Sequence, residues 1–352
     1  MVNEATFLAW QERQATAVLA QIEQILTAHA TSPEQQARYL GVIRTYWRAV
    51  QPGYHLPFCT WLPLYVYRAV IGDEGGGFGG PVETAVSVAA ISTIAWLGAA
   101  FYDDLTDEEI PNAWQHLSDA EVTMTAFALM SVIPLAAIDS LDLTMPQRHA
   151  LRSTLSQGLL RGLAGQEGDL ATAKRDDVTL PMIEQIVLGK SGAMTAFCAA
   201  FGAIAAGAEP EIVTAYSDYG EALGMVHQIS SDAADIFHKA RSQDLATGIK
   251  NIQTVACLDQ LNGAERADFL QLLVEARTSA EAQTAVRQQL RQKRMSLPWM
   301  DMAYRYAQQA NNALALAQPL PILDTVLRQL VDERTPEIDA RALLAYRLRL
   351  GA

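Results

Sequence analysis

The residues best suited to chemistry lie in two aspartate clusters. The first is Asp103-Asp104-Leu105-Thr106-Asp107. On a helix, Asp103 and Asp107 share a face one turn apart, and Asp104 and Asp107 are also neighbours. Three close carboxylates repel one another, and ionised carboxylates at the mouth of an apolar helix are costly unless a cation sits among them. Oxygen ligands without His or Cys suit Mg²⁺, which takes one or two carboxylates and completes its shell with water and substrate phosphates. Taken alone, the cluster also reads as a solvated acidic helix end, extended by Glu108 and Glu109. A second cluster changes that balance. In Gln228-Ile229-Ser230-Ser231-Asp232-Ala233-Ala234-Asp235, Asp232 and Asp235 share a face at i,i+3. Gln228 lies one turn before Asp232, and Lys239 follows Asp235 at i+4. Both clusters are approached through apolar residues, Thr84 to Tyr102 and Leu223 to Val226. Two such helices facing each other across a bundle would clamp a metal–diphosphate cluster.

The elements that must position these groups are helices. Helical spacing recurs almost throughout, and Ala, Leu and Gln dominate over clustered β-branched residues. The pattern predicts helices at about 4–30, 33–50, 57–71, 82–108, 113–139, 146–172, 179–208 and 210–240, with shorter ones to about 350. Strand signals are nearly absent. No Ser/Gly linker or charge block divides the chain, which predicts one all-α domain over residues 1–352, a large bundle with a central cavity. The clearest loop is Asp73-Glu74-Gly75-Gly76-Gly77-Phe78-Gly79-Gly80-Pro81. It lacks a following Gly-Lys-Ser/Thr and a preceding strand, so it reads as a connection rather than a nucleotide cradle.

Bulk properties narrow the partners. Half of the 352 residues are hydrophobic and the formal net charge is −13, with a pI near 4.9. Such a chain repels nucleic acid and anionic membrane surfaces, and a phosphate-bearing substrate would need a bound cation to reverse the local sign. Cys59, Cys198 and Cys257 are far apart and lack zinc-ligand spacing, which reads as reduced packing residues of a cytoplasmic protein. Met1-Val2-Asn3-Glu4 carries no basic n-region, against a secretory signal. The uncharged runs Thr84 to Tyr102 and Ser191 to Ala208 approach the length of a membrane span but are rich in small residues. They read as buried bundle helices, and no transmembrane span is expected. The histidines show no paired ligand spacing, and His227, beside Gln228, reads as structural.

In order along the chain, further segments join the aspartates: Gly165-Gln166-Glu167-Gly168-Asp169-Leu170, Lys190-Ser191-Gly192-Ala193, Lys239, and Asp244-Leu245 with Gly248-Ile249-Lys250. Together with the two aspartate motifs they resemble the trans-prenyl diphosphate synthases of the class I isoprenoid synthase superfamily, over about residues 85–260. The resemblance implies that Asp103, Asp104, Asp107, Asp232 and Asp235 hold Mg²⁺. It implies that Lys190, Lys239 and Lys250 contact a diphosphate, that Gln166, Asp169 and Gln228 line the reaction chamber, and that the protein is a homodimer. It also places the chain-length floor at Gly98 and Ala99; small residues there either deepen the cavity for a fifteen- or twenty-carbon chain or let helices pack closely.

Three departures bear on activity. Elongating members carry a Gly-Gly-Lys-x-x-Arg-Pro segment for isopentenyl diphosphate, whereas the stretch from Gln51 to Phe58 has no Lys or Arg. They place arginines after the first motif, whereas Glu108 to Leu117 has none. Ser231 stands where the second motif begins with Asp. A second diphosphate without cationic partners is poorly bound. The expectation is therefore ionisation of one allylic prenyl diphosphate followed by terpene-synthase-like cyclisation, elimination or hydration. The alternatives are prenyl transfer, either elongating (with isopentenyl diphosphate held by Arg44, Arg48, His55 or Arg68) or to a peptide or aromatic acceptor, and a non-catalytic partner subunit.

Overall fold

The computed structural model describes residues 4–49, 58–72, 82–107, 110–172, 175–337 and 340–350. The stretch 51–57 with His55, the glycine-rich loop 73–81, and Glu108 and Glu109 lie outside the described residues, as does the side chain of Arg48. The described residues form fifteen α-helices and no strand, an all-α fold. The chain divides into two compact units. The first comprises Met1–Leu160, Met194–Gly220 and Ala313–Leu327; the second comprises Arg161–Ala193, Glu221–Asn312 and Arg328–Ala352.

In the first unit, α1 (Glu4–His29) buries Phe7, Trp10, Gln14, Val18, Ile22, Ile25 and Leu26, a stripe at steps of three and four. Ser32 accepts the Gln35 amide at the start of α2 (Pro33–Ala49), with Pro33 at the first helical position. The α4 helix (Glu83–Thr106) is buried around most of its circumference from Ala85 to Phe101, because α1, α3 (Phe58–Ile71) and α5 (Asp119–Asp139) all pack on it. The sequence pattern places α5 from 113. Instead Pro111 precedes a single 3₁₀ turn, Asn112–Trp114, and Ser118 with Glu121 forms a capping box that starts the helix at Asp119.

The α6 helix (Met145–Thr172) and α8 (Pro210–His238) contribute residues to both units. Between them lies α7 (Leu180–Ala205). Both α5 and α7 contain a π turn, at Ala128–Val132 and Leu188–Gly192 respectively. Each π turn is met by a glycine of a neighbouring helix. A Cβ on Gly98 would lie 2.5 Å from the Met130 nitrogen, and one on Gly165 would lie 2.4 Å from the Lys190 nitrogen. Gly98 thus serves close helix packing, the second of its two expected uses. The second unit continues with α9 (Gln243–Thr247), α10 (Ile252–Leu258), α11 (Gly263–Ala276), α12 (Ala280–Leu290), α13 (Lys293–Ala317), α14 (Pro321–Asp332) and α15 (Ala340–Leu350), although α13 and α14 also reach the first unit. Its core gathers Ile236, Leu245, Leu258, Phe269, Val286 and Leu290. By length and composition α4, α5 and α7 are apolar enough to cross a membrane; 72%, 50% and 72% of their apolar windows are buried within the protein.

Candidate active site

The two aspartate motifs fall in different compact units. In the first unit, Asp103 and Asp104 close α4, and Asp107 is its C-cap, donating its amide to the carbonyls of Asp103 and Leu105. Thr106 adds a side-chain bond to the Asp103 carbonyl at 2.9 Å, so side chain and cap together stop the helix there. All three aspartates are half-buried. The hydroxyl of Tyr46, on α2, donates to Oδ2 of Asp104. Burial, then the bond to Asp104 and the charges of Asp104 and Asp103, push the Tyr46 phenol far up, so it remains a proton donor.

The second unit carries the denser network. Because Gly165 lets α6 approach the π turn of α7, Lys190 Nζ reaches Asp169 Oδ2 at 3.0 Å. From the residue after Lys190, the Ser191 hydroxyl donates to Gln228 Oε1 at 2.7 Å, and Gln228 Nε2 donates to Asp232 Oδ1 at 2.6 Å. Asp232 is only 8% exposed. Burial, and then the charges of Asp244 and Asp169, push its carboxyl well above the usual range despite Gln228 and Lys190. Asp244 is raised too, by burial and by Asp235 and Asp169, while Asn251 Nδ2 donates to it at 2.8 Å. Gln166 is buried on α6, one turn before Asp169.

Asp235 behaves differently. It accepts the Ser242 hydroxyl and the amides of Gln243 (3.3 Å) and Asp244 (3.2 Å), and it pairs with Lys239 at 2.6 Å. Burial works to raise its pKa, but these donors outweigh burial and hold it low. Asp235 therefore pins the turn that leads into α9 and brings Asp244 toward Asp232. Lys250 is buried and lies 3.8 Å from Asp176; burial lowers its pKa against the pull of that carboxylate. The structure thus links Asp169, Lys190, Ser191, Gln228, Asp232 and Asp244 in one network. It engages Asp235 with Lys239 and Lys250 with Asp176.

Among the described residues, no three His, Cys, Asp or Glu side chains converge closely enough to cage a metal alone. The donor set nevertheless fits Mg²⁺. Asp232, buried, and Asp244, half-buried, are mutually repelling carboxylates whose charge a divalent ion would neutralise, and Mg²⁺ completes its shell with phosphate and water. Sequence reasoning missed three contributors. Tyr46 sits in an unremarkable helix with no motif. Asp244 stands in a segment that the resemblance did match, without a role. Asn251 is the N-cap of α10, whose amide also serves Asp244.

Residues 101–290 match the family described as Polyprenyl synthetase. The chain belongs to that family. Among the relatives of this chain, a short chain isoprenyl diphosphate synthase of Methanothermobacter thermautotrophicus is 26% identical over 215 residues, 58% of this chain and 65% of that protein. A (2E,6E)-farnesyl diphosphate synthase of Mycobacterium tuberculosis is 29% identical over 161 residues, 44% of this chain and 43% of that one. The matches therefore span less than two thirds of either relative. Solved structures of similar fold include a polyprenyl synthetase from Streptomyces coelicolor (TM-score 0.76, 18% identity, 94% of this chain and 99% of that one). A geranylgeranyl pyrophosphate synthetase from Pyrococcus horikoshii matches with TM-score 0.77, 16% identity and 95% and 99% coverage. The two sequence relatives are named as diphosphate synthases, which favours the prenyl-transfer alternative over terpene-synthase-like conversion.

Proposed function

We propose that this family member is a Mg²⁺-dependent prenyltransferase that ionises an allylic prenyl diphosphate and couples the prenyl cation to isopentenyl diphosphate. The observation that carries the reading is the carboxylate cluster of buried Asp232 with half-buried Asp244 and Asp169 beside Lys190, in a chain matched over residues 101–290 by the polyprenyl synthetase family. Mg²⁺, when bound, supplies positive charge that stabilises the departing diphosphate. In the first unit Asp103, Asp104 and Asp107 would hold the cation, and in the second unit Asp232 and Asp244 would do so. Lys190 offers its ammonium to the diphosphate by exchanging Asp169 for phosphate oxygens. Ser191 orients the Gln228 amide, so that its NH₂ faces Asp232 and its carbonyl oxygen faces away. The allylic C–O bond breaks with its electron pair leaving on the diphosphate. The double bond of isopentenyl diphosphate attacks the cation, and a proton is then lost from the carbon next to the new cationic centre.

One observation favours a second reading. Neither 51–58 nor 108–117 contains a Lys or Arg to hold a second diphosphate. A cation left without isopentenyl diphosphate would cyclise, lose a proton, capture water or alkylate another acceptor. Incubating the purified protein with Mg²⁺ and geranyl, farnesyl or geranylgeranyl diphosphate, with and without isopentenyl diphosphate, separates the two. A longer diphosphate formed only with isopentenyl diphosphate is the expected product. A hydrocarbon or alcohol formed without it would establish the second reading. Full turnover in both Asp103→Ala and Asp232→Ala would remove the site from either.

A further inference from the structure

The first aspartate motif has a partner on another helix. The half-buried Tyr46 on α2 donates its hydroxyl to Asp104 Oδ2. Its ring stands edge-on to Phe101, with centroids 6.3 Å apart and planes at 74°. Phe101 is fully buried and stands edge-on to Trp114 at 6.2 Å. The Trp114 indole N–H returns to α2, donating to Thr45 Oγ1 at 3.2 Å. Two turns earlier, Arg38 pairs with Glu121 at 3.4 Å, beyond the motif at the start of α5. Residues 38, 45 and 46 thus bind α2 to the chain on both sides of the aspartates. Edge-to-face aromatic contacts fix ring positions, so the Tyr46 hydroxyl is presented from a set direction.

The χ2 torsion of an aspartate is broad and two-fold, and a hydrogen bond to one carboxylate oxygen narrows its rotation. Freezing that rotation beforehand removes an entropy loss that cation binding would otherwise incur. We propose that Tyr46 is a positioning residue of the first aspartate motif, holding the Asp104 carboxylate in its cation- and diphosphate-binding orientation. The proposal rests on the prenyl-transfer reading, because it assigns Asp104 a cation.

The test uses Mn²⁺ as a paramagnetic probe, titrated into the full-length protein with inorganic pyrophosphate and followed by electron paramagnetic resonance. Tyr46→Phe keeps the ring and removes only the hydroxyl. Its Mn²⁺ affinity is expected to fall about five- to tenfold, the scale of the net worth of one ordinary hydrogen bond, with its melting temperature close to that of the parent. Asp104→Ala is expected to weaken binding further, and Tyr46→Phe in that background to add nothing. Unchanged affinity in Tyr46→Phe, or equal losses from Tyr46→Phe with and without Asp104, would overturn the proposal. Absence of prenyl transfer by the parent protein, with Mn²⁺ binding still dependent on Tyr46 through Asp104, would support the positioning role while removing the prenyl-transfer reading.

Discussion

Asp232 and Asp235 sit three residues apart on one helix, and packing gives them opposite tasks. Asp232 is buried near two other carboxylates, which is unfavourable without a cation. Asp232→Asn is expected to raise the stability of the metal-free protein at pH 8 by about 1–2 kcal/mol by relieving that repulsion, while lowering turnover at least about a hundredfold. Thermal melts in chelator and a product assay read the two effects. Asp235→Ala removes the acceptor for Ser242, two amides and Lys239. It is expected to cost about 2–4 kcal/mol in denaturant melts, with or without metal. His227 provides a pH signature. Burial, and secondarily Arg334, lowers its pKa to about 4. Because the folded value lies below the unfolded value near 6.5, its contribution is complete above pH 6.5 and is lost as pH falls toward 4. The loss totals about 3 kcal/mol. Urea midpoints at pH 7 and pH 5 should differ less in His227→Gln than in the parent.

Helix-level placement depends on two close crossings, each pairing a glycine with a π turn. An added methyl at Gly165 meets the backbone at Gly189 and Lys190, which cannot yield as a side-chain tip can. Gly165→Ala is therefore expected to destabilise by about 1–3 kcal/mol and also to weaken substrate binding, because α7 must move and take Lys190 away from Asp169. Gly98→Ala faces a similar clash with α5 at Leu129 and Met130, with a similar stability loss. Comparing each variant's melting temperature with its KM for the allylic diphosphate separates packing from the site. A KM rise in Gly165→Ala beyond that in Gly98→Ala is the expected result.

For the whole molecule, the resemblance implies a homodimer. Met124, Phe127 and Val132 on α5 and Met145 and Leu160 on α6, all in the first unit, expose large apolar surface. Light scattering is expected to give twice the 38.3 kDa chain mass, falling to one chain mass in Phe127→Glu/Leu160→Glu. Surface of this kind is unfavourable in water unless covered.

The residue pattern alone determined the all-α class, most helix bounds to within a few residues, and the order of the aspartate, lysine and Gly-Gln segments. Periodicity and motif spacing are local, so they survive in one dimension. Partner choice is not local. Only the tertiary structure decided that Asp235 pins a turn while Asp244 joins Asp232, that Lys250 meets Asp176, that Gly98 is spent on helix packing, and that Tyr46 reaches Asp104 across 58 residues. Those outcomes depend on which desolvated side chains finally meet, and the free energy of burying a charge is set by neighbours that sequence spacing does not specify.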